Sequence, residues 1–205
     1  MTGRAVTVRP ARPDDAPGLG DVHVAAWRAA YRGVMPSEFL DGLQAGTVAD
    51  RWARALTTRP MPVLVAEDGG GVVGFATYGP QEPEEESRDG ARPDETAAED
   101  GSQGSAPLGR LYAINLHPDA FGTGAGTALL TRAEEGLADL GFASAVLWVV
   151  PGNARARRFY ERQGWVHDGL DRVEHLQGVT VDVTRYSRRL RPGGGTPPTS
   201  PSPAG

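Results

Sequence analysis

One stretch, from Leu108 to Trp165, constrains this chain more than any other: LGRLYAINLHPDAFGTGAGTALLTRAEEGLADLGFASAVLWVVPGNARARRFYERQGW. An apolar strand candidate ends at His117-Pro118, a glycine-rich turn follows (Gly122-Thr123-Gly124-Ala125-Gly126), and an amphipathic helix begins at once. That order brings unpaired backbone N–H groups and the positive end of a helix dipole to one place, where an anionic diphosphate can sit. A second apolar strand, Ala145 to Val150, leads into Asn153-x-x-Ala156-x-x-Phe159-Tyr160-Glu161-Arg162-x-Gly164-Trp165.

The glycine turn is not specific by itself. A chain with 28 glycines reaches Gly-x-Gly-x-Gly easily, and such a run also serves as a plain turn. What it excludes is sharper. A Walker phosphate loop needs Gly-x-x-x-x-Gly-Lys-Ser/Thr, and all 21 basic residues of this chain are arginine. The dinucleotide fingerprint Gly-x-Gly-x-x-Gly also fails, because the third glycine falls at Gly126, one position early, and no acidic residue is placed for a ribose.

Taken with the pattern from Asn153 to Trp165, these residues resemble the GNAT superfamily of acetyl-CoA-dependent N-acetyltransferases. That family carries Gln/Arg-x-x-Gly-x-Gly/Ala on its strand-to-helix turn. The matching positions here run from Phe121 to Gly126, with Phe121 in place of the usual Gln or Arg. His23, Trp27, Tyr31-Arg32-Gly33 and Pro36 carry a looser likeness in the amino-terminal third. The resemblance implies one α+β domain over residues 4–190, with a mixed, mainly antiparallel central sheet flanked by helices. It implies acetyl-CoA as cosubstrate, held by Leu116, His117, Phe121, Gly122, Thr123, Gly124, Ala125, Gly126, Thr127, Asn153 and Ala156. Tyr160 would protonate the leaving thiolate, and Trp27 and Tyr31 would wall the acceptor site. The implied reaction is direct attack of a primary amine, on a small molecule or peptide, at the acetyl thioester; a homodimer is compatible with it. Two alternatives stay open: transfer of another acyl group from its CoA thioester, and a non-catalytic acyl-CoA-binding regulatory module, a reading that Arg110 and Phe121 encourage.

Composition sets the outer limits. With 205 residues and 39% hydrophobic content, the chain suits one domain of ~150–165 ordered residues plus tails, enough to bury a full core. No apolar run approaches a membrane span, and the amino terminus lacks the apolar core of a signal peptide, so a cytoplasmic protein that engages no membrane is expected. The absence of cysteine excludes disulfides, thiolate metal sites and thiol nucleophiles, and no metal site is expected. A net charge of −5 does not favour nucleic acid as a partner.

Along the chain, a short alternating strand around Val6 and Val8 precedes Pro13-Asp14-Asp15, which opens a helix running to about Tyr31. Thr47-x-x-Asp50 is an imperfect capping signal for a second helix through Trp52 and Leu56. Residues 63–66 and 72–76 flank Asp68-Gly69-Gly70-Gly71 as a β-hairpin. Residues 80–107 are Glu/Asp/Gly/Pro/Ser-rich with almost nothing apolar and are expected to be a disordered insertion between two strands. The helix after the glycine turn, about Gly124 to Leu140, presents Ala128, Leu129, Ala133, Leu137 and Leu140 to one side, with Gly141 as its stop. A short helix from about Ala154 to Gln163 ends at Gly164. Two strands, near 172–176 and 180–186, are joined by Gln177-Gly178, and the tail from Arg191 is disordered in composition.

The chemistry divides the remaining candidates. Acetyl transfer needs a neutral amine, donors for the oxyanion and a proton for the departing sulfur. Tyr160 is the phenol in the motif, though a tyrosine beside Phe159 also suits a core. The base stays open: Arg110 occupies the region where related sequences carry a glutamate, leaving a water relay with His117, His23 or Glu174 as distant candidates. Asn153 suits a helix cap, and the Trp27–Tyr31 spacing of four suits core packing as well as a substrate wall. Arg155, Arg157 and Arg158 form a basic cluster for phosphates or for a solvated helix face, and the acidic run from Glu82 to Glu86 reads as a solvated linker.

Overall fold

The computed structural model describes residues 5–58, 61–82 and 107–191. Among them, seven strands form one sheet in the order β1-β2-β3-β4-β5-β7-β6. They are β1 (Thr7–Pro10), β2 (Val63–Glu67), β3 (Val72–Pro80), β4 (Gly109–Leu116), β5 (Ser144–Val149), β6 (Val166–Leu176) and β7 (Val179–Arg189). Every neighbouring pair is antiparallel except β4 and β5. The helices are α1 (Ala16–Tyr31), α2 (Ser37–Gly42), α3 (Ala45–Thr58), α4 (Ala125–Asp139) and α5 (Ala154–Arg162). This is the expected α+β architecture.

Strand alternation divides the core between the two faces of the sheet. On one face Leu147 and Val149 meet Leu129, Ala133 and Leu137 of α4 and Tyr160 of α5. On the other, Trp148 packs with Val150, Val181, Val183 and the aromatic side of α1, Trp27 and Tyr31. Leu19 and Val22 of α1 cover Val65 and Phe75 there. Gly20 lets α1 and α3 approach, since an added Cβ would stand 2.5 Å from the Ala45 carbonyl oxygen.

The parallel pair matters most for function. β4 and β5 are paired only from Gly109–Ala145 to Leu111–Leu147. Beyond that point they part, and each then turns into a helix, β4 into α4 and β5 into α5. Thr77 pairs with Ala113 and Tyr78 with Leu111, so Tyr112 is an extra residue at a bulge where the parting begins. A cleft at the carboxyl ends of two parting parallel strands is where open sheets hold ligands.

Several expectations shift by local physics. α3 begins at Ala45, so Thr47 lies inside its first turn and is not its cap. Leu140 is 54% exposed beyond the end of α4, while Ala125 and Leu130 take buried positions. β6 begins at Val166, six residues before the expected strand, and β3 runs on to Pro80. Gln81 N–H donates to the Leu108 carbonyl at 2.7 Å. The expected disorder of 80–107 and of the tail otherwise falls on 83–106 and 192–205, outside the described residues.

Candidate active site

Three glycines of the turn do two different jobs. Gly122 and Gly124 have φ of 79° and 91°, the left-handed region, and an added Cβ at either would meet nothing within 4 Å. Gly126 lies inside α4, where a Cβ would stand 3.0 Å from the Leu116 side chain. The turn therefore presents bare backbone outward and closes tightly on β4. Thr123 Oγ1 donates to the Ala120 carbonyl at 2.8 Å and accepts the Ala125 N–H at 3.4 Å. Among the described residues, the N–H groups of Gly122, Gly124, Gly126 and Thr127 have no acceptor, and the first bond into the helix runs from Ala128 N–H to the Gly124 carbonyl. These donors and the α4 dipole fit a diphosphate, and a side chain at 122 or 124 would occupy the space it needs.

The flanking candidates are placed as follows. His117 caps a short 3-10 turn, its Nδ1 accepting the Asp119 N–H at 3.3 Å. Phe121 ends that turn, and the Arg155 guanidinium of α5 lies 4.2 Å from its ring centroid. A cation thus stands beside the glycine turn although Phe121 itself brings no charge. Asn153 is the N-cap of α5, its Oδ1 accepting the Ala156 N–H at 3.1 Å, and Ala156 packs on the α4 core.

Tyr160 is buried between Phe159 and Trp165, with ring centroids 5.4 and 6.3 Å away. Among the described residues its hydroxyl has no hydrogen-bond partner. Its pKa is raised, first by burial and then by the nearby Tyr31 phenol. Tyr31 belongs to the opposite core cluster, so its effect on Tyr160 comes from the other side of the sheet. Burial, then Glu174, raise the Tyr31 pKa in turn. Trp27 lies deeper, 9% exposed, stacked on His23 and edge-on to Tyr31. Tyr31 is the less buried of the pair.

Residues that the sequence left scattered come together on the α1 side of the cleft. The Arg110 Nη2 donates to Glu174 Oε1 at 3.1 Å, and Arg172 bonds the same oxygen. Arg172 also lies 3.9 Å from the centroid of the Trp148 ring. Arg172 and Glu174, two apart, share a face by simple alternation. That this face is Trp148's depends on β7 lying between β5 and β6, which no local pattern reveals. A cavity of about 440 Å³ lies elsewhere, between α2, α3 and the β6–β7 turn at Gln177.

Fold and cleft together define an acyltransferase of the kind that holds its acyl carrier on a strand–glycine turn–helix unit. The chain belongs to the acetyltransferase (GNAT) family, whose model matches residues 24–165, and acetyl-CoA, the cosubstrate, fits the turn described. It is 35% identical over 150 residues to the N-acetyltransferase YuaI of Bacillus subtilis, covering 72% of this chain and 73% of that protein. It is 33% identical over 180 residues to mycothiol acetyltransferase of Parafrankia sp., covering 80% of this chain and 53%, about half, of the relative's length. The fold matches yncA of Salmonella typhimurium, solved with its cofactor acetyl-CoA, with a TM-score of 0.59 at 20% identity over 93% of this chain and 97% of that one. No helix among the described residues is long and apolar enough to cross a membrane.

Proposed function

We propose that the protein transfers the acetyl group of acetyl-CoA to the primary amine of a small molecule or peptide by direct attack, with Tyr160 as the proton donor. An ammonium and the thioester give an amide and a free thiol. The C–N bond forms as the C–S bond breaks, and sulfur leaves with the electron pair and takes one proton. A second proton goes to solvent. Gly122, Gly124, Gly126 and Thr127 cradle the diphosphate by their free backbone N–H groups, with Thr123 and Ala125 holding the turn in shape and Leu116, His117 and Phe121 before it. Asn153 and Ala156 shape the start of α5 on the far side, and Tyr31, backed by Trp27, faces the acceptor.

The observation that carries this reading is Tyr160, a buried side chain whose hydroxyl has no hydrogen-bond partner among the described residues. Its raised pKa keeps the phenol protonated at neutral pH. A thiolate released into the same apolar surroundings is likewise more basic than in water, which favours its taking a proton as it leaves. Tyr160→Phe keeps the ring and removes the hydroxyl. We expect kcat to fall by on the order of 10²–10⁴ with acetyl-CoA affinity unchanged by calorimetry. Equal kcat values with intact binding would return Tyr160 to a packing role.

A further inference from the structure

One face of α5, from its first turn to its C-cap, is laid against the glycine turn. Gln163 Nε2 donates to Thr127 Oγ1 at 3.4 Å, and a Cβ added at Gly126 would stand 3.5 Å from the Phe159 ring. At the other end of the helix, the Arg155 guanidinium lies 4.2 Å from the centroid of the Phe121 ring. Residues 155, 159 and 163 are spaced by four and so share this face. Their partners, 121, 126 and 127, bracket the N–H groups of Gly122, Gly124, Gly126 and Thr127 that have no acceptor among the described residues. Arg155 is thus the charge beside the Gly122 end of the cradle.

The fold gives no other reason for a cation at this position. Arg155 is the second residue of α5, at the positive end of the helix dipole, where a carboxylate stabilises and a guanidinium does the opposite. The first turn of α5 has no acidic residue to offset it. Arg157, in the same turn, has structural work, since its Nε donates to the Tyr186 hydroxyl at 3.2 Å and ties the helix to the sheet. Arg155 is exposed, and among the described residues it has no hydrogen-bond or ion-pair partner. What orders it is the Phe121 face, which holds a guanidinium while leaving its N–H edge free for a forked anion.

Resting on the diphosphate placement in the reading above, we propose that Arg155, steadied on Phe121, is the side-chain cation that reads the diphosphate of the acyl carrier. The charge count agrees. A diphosphate diester carries two negative charges, and the start of α4 answers with N–H groups and a dipole worth only about half a positive charge. One guanidinium at the edge of the turn supplies a whole charge and a fork that matches phosphate oxygens.

The test is calorimetry on the full chain with CoA, with dephospho-CoA, which keeps the diphosphate and lacks the 3′-phosphate, and with pantetheine, which has neither. Wild type should bind the first two far more tightly than pantetheine. Arg155→Gln should weaken CoA and dephospho-CoA alike by on the order of 10-fold, the effect of one charge-assisted contact at an exposed position. It should leave pantetheine unchanged and flatten the salt dependence of CoA binding. Its Tm should hold or rise, because a cation has left the positive end of a helix. Arg155→Lys should keep the salt dependence and recover part of the affinity, since an ammonium has the charge without the fork. Phe121→Leu should weaken CoA several-fold, and by less in the Arg155→Gln background, as a coupled pair requires. Full CoA affinity in Arg155→Gln, a loss absent with dephospho-CoA, a loss shared by pantetheine, an affinity loss matched by a fall in Tm, or simply additive losses in the double variant would each overturn the inference. None of these readouts needs turnover, so they stand apart from the acetylation of any amine. Wild type binding CoA no better than pantetheine would refute the diphosphate placement and the inference together, whereas tight CoA binding kept in full by Arg155→Gln would refute the role of Arg155 alone.

Discussion

His23 sits between two rings, stacked on Trp27 at 5.1 Å and on Phe75 at 6.0 Å between centroids. Its Nε2 lies 3.2 Å from the Gln177 amide nitrogen, so the amide donates, Nε2 accepts and the proton sits on Nδ1, which is buried without a partner. Burial, and then the charge of Arg51, lower its pKa from 6.5 to about 4. The imidazole is therefore neutral at pH 7 and serves packing. Its stability effect has a definite sign. In the unfolded chain the ring takes its proton near pH 6.5, while in the fold it resists to about 4, so between these values the unfolded state holds more protons. This contribution is complete above pH 6.5 and is lost as pH falls toward 4, over a span of roughly 3 kcal/mol at most. Urea unfolding at pH 7 and 4.5 should show the loss in wild type, with His23→Phe losing about 2 kcal/mol less. Parallel losses in the two proteins would show that His23 titrates normally.

At the level of elements, α5 carries Tyr160 and is tied to the sheet by β7. The buried Tyr186 hydroxyl donates to Glu161 Oε1 at 2.8 Å and accepts from Arg157 Nε at 3.2 Å. Tyr186→Phe leaves the ring in the core and cuts both bonds. We expect a loss of about 1 kcal/mol, a drop of about 2–4 °C in Tm, and a larger proportional fall in kcat than in acetyl-CoA affinity as the helix loses its fixed seat. A kcat that tracks only the loss of folded protein would separate the tie from catalysis. The same scale shows what the sequence could not disclose. α1, α4 and α5 were legible because strong periodicity coincided with a stop, as at Gly141 and Gly164, both with positive φ. α2 has only six residues and no side-chain cap, so nothing local marks it. The first half of β6, from Val166 to Asp171, is exposed and has no inward face to set an alternation. The glycine turn and α5, which make the proposed cofactor half of the site, could be read because each is one continuous stretch of sequence. Across the cleft, Tyr31, Arg110, Trp148 and Glu174 come from four elements and are brought near one another only by the tertiary arrangement, which no local pattern reveals.

For the whole molecule, the question is how much the segment between β3 and β4 adds to the domain. The two strands are paired from Gly74–Leu116 to Pro80–Gly109, and Gln81 N–H closes on the Leu108 carbonyl just past the last pair. Tyr112 Oη donates to the Pro80 carbonyl at 2.6 Å across the same end. The chain therefore leaves and returns at adjacent points, and a few residues can span them. Replacing 83–106 with a short glycine link keeps every pair of this register, and loop length itself changes closure entropy only slowly, by about 0.6 kcal/mol per doubling. The shortened protein should unfold cooperatively with a Tm within a few degrees of wild type and bind acetyl-CoA with unchanged affinity, because the glycine turn lies at the opposite end of β4. The acceptor side is the more sensitive probe. The join lies just before the start of β4, so an altered KM for the amine with an unaltered KM for acetyl-CoA would show that the segment takes part in acceptor choice. A loss of cooperative unfolding would instead show that it belongs to the core.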